Sequence, residues 1–306
     1  MSKVLKIIFM SGIVRVFLLA VIIWLSSMPA TAAVFLIDAP ESDTMQARLA
    51  LEYYHDRIAG NLEIEFPDTV RVVIAANREA FNRAVGSYFP DWGAAAAIKK
   101  KNRIVIKSPS HFKVGKSLNE LLGHELGHLM LDKASGGKWL PRWFEEGFCQ
   151  LVSGEWRLKN DIAVTRAVWG SGLIPLTALE KVNQFNGSKA SLAYAQSYLA
   201  VSLLVQEFGM DVIPHFLSTY RDSGDIFGAF FKASGYRYSE WIDFWKKNTE
   251  HRYKLVLFVF ESDFFFPALA VLFILLYIVK KYQVRKKKQK WEVEERYKGN
   301  DQIHPT

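Results

Sequence analysis

His124 and His128 stand four residues apart, with Glu125 beside the first, in the run SLNELLGHELGHLMLD. On a helix that spacing sends both imidazoles out of one face. Two neutral ring nitrogens can then share one zinc ion at ~2.0–2.1 Å each. Glu125 lies one residue round, close enough to that face to take a proton from an attacking water. H-E-x-x-H is therefore a ligand-plus-base arrangement for metal-assisted hydrolysis. Chance gives the pattern to a chain this long on the order of one time in a hundred, so the surrounding residues must decide.

The helix that would carry these side chains has a legible start. Ser117-Leu118-Asn119-Glu120 is an S-x-x-E capping box, which satisfies amides at a helix N-terminus and fixes the helical phase. Leu118, Leu121, Leu122, Leu126 and Leu129 predict a broad buried surface. Gly123 and Gly127 would each cost ~1 kcal/mol in a helix interior. Their presence predicts close approach of a neighbour, by crowding at a metal site or by helix packing.

Upstream, residues 43–59 read as an amphipathic helix ending at Gly60, and 70–75 (VRVVIA) as a strand. Asn77 is placed to cap REAFNRAV, which Gly86 closes. Residues 94–98 and 103–108 flank a Lys-rich turn and predict a hairpin. Downstream, ASGGKWLP reads as a loop and PRWFEEGFCQLVSGE as a second helix. Thr177 to Glu180 reads as another capping box, and 191–209 as a long helix stopped by Gly209. Further helical segments follow. The expected fold is α+β: a small N-terminal sheet packed on the H-E-x-x-H helix, then a mostly helical C-terminal lobe, then one C-terminal transmembrane helix.

Hydrolytic zinc needs a third protein ligand and an open position. Glu146 follows His128 by eighteen residues, inside PRWFEEGF. That segment has the W-x-x-E-G pattern and, with H-E-x-x-H, resembles the gluzincin peptidases. The resemblance implies that Glu146 is the third ligand. Glu145 would point ~100° away, towards solvent or a substrate group. Asp132, four residues after His128, and Gln150, four after Glu146, are placed to orient ligands from behind. From 117 to about 252 the helical pattern resembles the exported or membrane-linked peptidases of the broad peptidase MA group. In that family a Tyr or His often faces the zinc and stabilises the oxyanion. Tyr194 is the candidate here, with Tyr198 as substitute, although both rings could simply pack. The strand near 103–108 is placed to align an extended peptide. No G-x-M-E-N motif precedes the helix, which argues against N-terminal trimming.

The chain has 306 residues and a formal charge of +8. Residues 1–32 carry +3, with no acid. Residues 280–306 carry +5, from nine Lys/Arg against four acids, so residues 33–279 balance to zero. The basic charge sits at the ends, and the middle has no footprint for nucleic acid. Cys149 is the one cysteine, so no intrachain disulfide forms, and it reads as a small buried hydrophobe. His55, His111, His215, His251 and His304 have no ligand spacing.

Lys3, Lys6 and Arg15 precede VFLLAVIIWL, and Ala30-Thr31-Ala32 fits an A-x-A site. Residues 1–32 therefore read as a signal peptide, with an uncleaved anchor as the alternative. FFFPALAVLFILLYIV (264–279) is ~24 Å of helix, short of a ~30 Å hydrocarbon core. LVLFVF (255–260) would supply the remainder. KKYQVRKKKQK follows as a cytoplasmic flank. The expected organisation is a signal peptide (1–32), an exported metallopeptidase domain (33–254), a membrane-proximal segment and transmembrane helix (255–279), and a basic cytoplasmic tail (280–306). The expected function is zinc-dependent hydrolysis of a peptide or protein on the extracytoplasmic side of a membrane, with Glu125 as base. The alternative is a non-catalytic zinc-containing peptide receptor or scaffold. Nothing in the sequence specifies an oligomeric state.

Overall fold

Short apolar β-branched runs build a sheet, and helices then cover both of its faces. The computed structural model describes residues 33–86, 89–90, 93–156, 158–261 and 265–300. The proposed signal peptide lies outside them. Strand β1 (Val34–Asp38), helix α1 (Glu41–Leu62), strand β2 (Thr69–Ala75), helix α2 (Arg78–Val85) and strands β3 (Ala95–Ile98) and β4 (Arg103–Lys107) come first. The sheet order is β1-β2-β4-β3. β1, β2 and β4 run parallel, and β3 pairs antiparallel with β4. The parallel pairs require crossovers, which α1 and the α2 segment provide.

Period-two alternation assigns the faces. Val70, Val72, Ile74, Ile104 and Ile106 join the main core, with α1 and the motif helix. Ala75 and Val105 face the other way and pack on Phe81 and Val85 of α2. Asn77 caps α2 by accepting the Ala80 N–H at 2.9 Å, and Gly86 closes it at φ +71°. β1 is the strand that the sequence reading missed. The predicted hairpin forms, with Lys99–Lys101 as a 3₁₀ turn between its strands. Its roles are reversed, however. β4 is paired on both sides, so 103–108 offers no free edge; β3 is the edge strand.

The motif helix, α3 (Leu118–Ala134), begins with the expected capping box, both halves formed. It is buried on nearly every side from Leu121 to Leu131. Helices α4 (Arg142–Ser153), α5 (Leu158–Trp169), α6 (Gly187–Phe208), α7 (Val212–Ser223), α8 (Ile226–Ser234) and α9 (Tyr238–Glu261) follow. Leu176–Gln184 is a 3₁₀ segment after Pro175, in place of the predicted capping box. Glu180 instead accepts the Arg142 N–H at 2.9 Å, capping α4 from a distance.

The motif-helix glycines are explained by helix packing. A Cβ on Gly123 would lie 2.8 Å from the Tyr54 ring of α1, and one on Gly127 would lie 3.0 Å from Cys149 Sγ of α4. The tightest crossing is elsewhere. A Cβ on Gly147 would lie 2.2 Å from the Ser197 carbonyl oxygen of α6. Backbone cannot swing aside as a flexible side chain can.

The chain divides into two compact units, residues 1–247 and 248–306, with the boundary inside α9. In the second unit, helix α10 runs from Phe265 to Asn300. Its stretch Phe266–Gln289 is long and apolar enough to cross a membrane. Residues 255–260 belong to α9, so the candidate span gains its length downstream, within the helix that carries the basic residues. Pro267 falls in the first turn, where a missing N–H costs little.

Gly147→Ala should lower stability by at least the ~1–3 kcal/mol typical of overpacking. Gly60→Ala, in a helix with nothing within 4 Å of the new Cβ, should raise it by about 0.5–1 kcal/mol. Thermal unfolding of the two variants checks the contrast. Equal effects would remove the packing explanation.

Candidate metal centre

α3 and α4 cross so that His124, His128 and Glu146 meet. One potential ligand atom from each lies within 4.8 Å of the others. Bonds of ~2 Å to one ion would draw them together by under about an ångström. Glu146 Oε2 is 3.3 Å from His124 Nε2, and Glu146 Oε1 is 3.8 Å from His128 Nε2. Both oxygens are buried, and their near neighbours on the histidine side are ring nitrogens, His124 for Oε2 and His128 for Oε1. A buried carboxylate facing two imidazoles is costly unless a proton or a metal ion lies between them, and a cation resolves that cost. The donor set of two imidazoles and one carboxylate suits zinc chemistry. The residues present therefore fit a metal.

Carboxylate and cation partners surround this cluster. Glu155 Oε1 is 2.9 Å from His124 Nδ1 and 3.1 Å from its donor Ser153 Oγ, and Lys116 pairs with the other oxygen. Gly154, at φ +75°, ends α4 and turns the chain so that Glu155 folds back beneath His124. Arg142 Nη2 holds Glu146 Oε1 at 2.7 Å, and the same guanidinium contacts Tyr194. Sequence reasoning missed Glu155 and Arg142. An i,i+4 Arg–Glu pair at the start of α4 was a readable sign of Arg142. No spacing rule points to Glu155.

These pairings set the proton inventory of the metal-free cluster. Burial opposes charge on His124, but Glu155 and Glu146 outweigh it and raise its pKa to about 10. Burial drives His128 down to about 3, against the pull of Glu146. Burial raises Glu125 to about 7, with His124 working against it. Glu146 also suffers burial, yet Arg142 and the imidazoles hold it well below the carboxylate range. Burial opposes Glu155 as well, and His124 and Lys116 bring it down to about 2.

The cluster opens on a cleft of about 560 Å³ whose walls include Glu125, Arg142, Tyr194 and the β3 residues Ala95, Ala96 and Ala97. Tyr198 is not among them. It stacks on Trp156 at 4.6 Å, and its hydroxyl bonds Ser202. Asp132 does not reach His128; its nearest recorded partner is Lys99 at 3.9 Å. Gln150 donates to the carbonyls of Glu146 and Tyr194, so it braces backbone and leaves the carboxylate alone. Glu145 is buried and paired with Lys99, not turned to solvent. Cys149 is buried against Gly127. His55 packs with Nε2 3.0 Å from the Phe66 carbonyl, and His111, His215 and His251 are exposed. His304 lies outside the described residues.

No protein of curated function matches the sequence. A family model described as the peptidase MA superfamily matches residues 57–250, which is more than half of the chain and takes in both helices that meet at the cluster. The chain belongs to the peptidase MA superfamily.

Proposed function

We propose that this chain is a gluzincin-type zinc peptidase, held at a membrane with its catalytic domain on the extracytoplasmic side. The buried Glu146 carboxylate, its two oxygens 3.3 and 3.8 Å from the imidazoles of His124 and His128, is the observation that carries the reading. Residues 33–254 form the exported domain, the stretch Phe266–Gln289 of α10 the span, and the rest of the basic run the tail. A cleaved signal over residues 1–32 brings the domain across. The basic run that follows the apolar stretch of α10 supports this orientation.

His124, His128 and Glu146 would hold a zinc ion, which would supply Lewis-acid chemistry to the scissile carbonyl and to the attacking water. Glu125, with its pKa lifted to about 7, is poised to accept a proton near neutrality. It takes that proton from the attacking water and delivers it to the amine that leaves. Glu155 holds the far nitrogen of His124 and so fixes the ring's tautomer. Arg142 keeps Glu146 ionised and steadies Tyr194. The Tyr194 hydroxyl, whose pKa is raised by burial and by Glu146, keeps its proton and can donate to the developing oxyanion. β3 offers unpaired backbone along the cleft, with alanines that leave an extended peptide room to lie beside it. A receptor without turnover would not need a buried carboxylate with a pKa near 7 in the cleft, and Glu125 is one.

Glu125→Gln should leave one zinc bound per chain and lower hydrolysis by about 10²–10⁴-fold. Metal analysis beside a peptide-library assay measures both. Undiminished cleavage would sink the mechanism. Loading at pH 7 should also release about one proton, because His124 enters protonated while His128 and Glu146 do not. Affinity should then climb about tenfold per pH unit up to the His124 pKa near 10. Titration calorimetry in buffers of different ionisation enthalpy reads the proton count, and a count near zero would contradict this assignment.

A further inference from the structure

Three cavities adjoin along one side of the catalytic unit. The metal cleft shares Lys99, Arg142 and Asn183 with a trough of about 370 Å³. That trough shares Trp139 and Glu180 with a third cavity of about 180 Å³, which is bordered also by Pro141, Trp143, Phe227 and Tyr238. Pro141, just before α4, and Trp143, within it, lie about one turn before Glu146, so the third cavity begins roughly 5–8 Å from Glu146 along that helix axis.

The chemistry of the third cavity is apolar. Two of its polar groups are already engaged: Trp143 Nε1 donates to the Tyr238 hydroxyl at 2.7 Å, and Glu180 accepts the Arg142 N–H. Phe227 stands edge-on to Tyr238, ring centroids 5.4 Å apart. Trp139 and Phe227 frame the mouth, 60% and 62% exposed. Large rings held that open at the end of a cleft are a site for something to cover. Apolar cavities on the order of 150 Å³ take a ring the size of benzene.

The sheet gives the direction. β3 ends at Ile98, and Lys99 follows where cleft and trough meet. A peptide pairing antiparallel with β3 lays its N-terminal side against the C-terminal end of that strand. Its upstream residues then pass Lys99 into the trough. We infer that the Trp139–Phe227–Tyr238 cavity is a remote substrate subsite, which takes an aromatic or large aliphatic side chain on the N-terminal side of the scissile bond. At ~3.3 Å per residue, about two residues cover roughly 5–8 Å and the path through the trough takes more, so the anchored side chain sits about two or more residues upstream. The occupant is the substrate itself, because the cavity is continuous with the cleft through shared walls. This rests on the peptidase reading above, and it makes the enzyme selective for apolar segments in extended chains.

The test uses the zinc-loaded full-length chain in detergent and peptidyl hydroxamates of the form acetyl-Xaa-(Gly)n-hydroxamate. Xaa is Phe or Ala, and n runs from two to five. The hydroxamate anchors on the metal and the peptide extends only upstream. The Phe probe should bind about tenfold tighter than the Ala probe at one or two spacer lengths. That ratio should fall towards one in Phe227→Ala and in Trp139→Ala, both exposed positions, and should persist in Phe227→Leu. A ratio of one at every length in the wild type, or a ratio unchanged in both alanine variants, would overturn the inference. An unchanged ratio with altered sedimentation of those variants would assign the rim to contact between copies, and overturns it too. If no hydroxamate binds at any length, the metal reading fails and takes this inference with it.

Discussion

The approach of α4 to α6 at Gly147 is the constraint on which the site depends. A methyl group there would overlap the Ser197 carbonyl, so the two backbones meet without any side chain between them. The neighbouring residue on α4 is Glu146. With the crossing fixed at Gly147, Glu146 is held to one azimuth and one depth, facing the imidazoles of α3. The same crossing brings Tyr194, just before Ser197 on α6, to the wall of the cleft. The glycine that follows Glu146 in W-x-x-E-G is thus a packing requirement, and the position of the carboxylate follows from it.

That crossing also creates an electrostatic difficulty. Glu125, Glu146, Glu155 and two histidines are all buried around one cluster. Buried carboxylates are costly unless paired. Arg142 and Lys116 supply two cations from the rim, one to Glu146 and one to Glu155. Both are partly exposed, which lessens the cost of holding their own charge. Glu125 has no recorded ion pair among the described residues, and burial raises its pKa against the more distant pull of His124 and Lys116. The site therefore separates its acids by the company each keeps: two are held ionised, and one is left near its titration point.

Much of this was legible in the sequence, for local reasons. Ser117 and Glu120 announced the start of α3, Asn77 and Gly86 bounded α2, and the Lys-rich turn marked the hairpin. These signals act over three or four residues, where backbone geometry dictates residue type. The histidine pair and the glutamate before Gly147 were legible because helical spacing maps onto space. What failed was non-local. Glu180 looked like the partner of Thr177 but caps α4 across 38 residues. Asp132 had the right spacing for His128, yet Lys99 on the hairpin claims it. Glu155 reaches His124 only because Gly154 reverses the chain. The edge of the sheet was misplaced because strand order depends on which crossovers form, and because β1, directly after the expected signal peptide, was given no element.

An open strand edge beside a cleft presents a hazard as well as an opportunity. Unpaired backbone groups in a row invite any extended chain, including another copy of the same protein. β3 is four residues long, too short to template a stable intermolecular sheet, and three consecutive lysines follow it. A second copy pairing edge to edge in antiparallel fashion would bring two such lysine turns to opposite ends of one short ladder, where neither finds an acid on the partner strand. A flexible peptide brings no matching cluster and can lie along the edge freely. The hairpin thus sorts its visitors by charge before any side chain is read, and guards the protein against fibril-like self-association at the strand it leaves exposed.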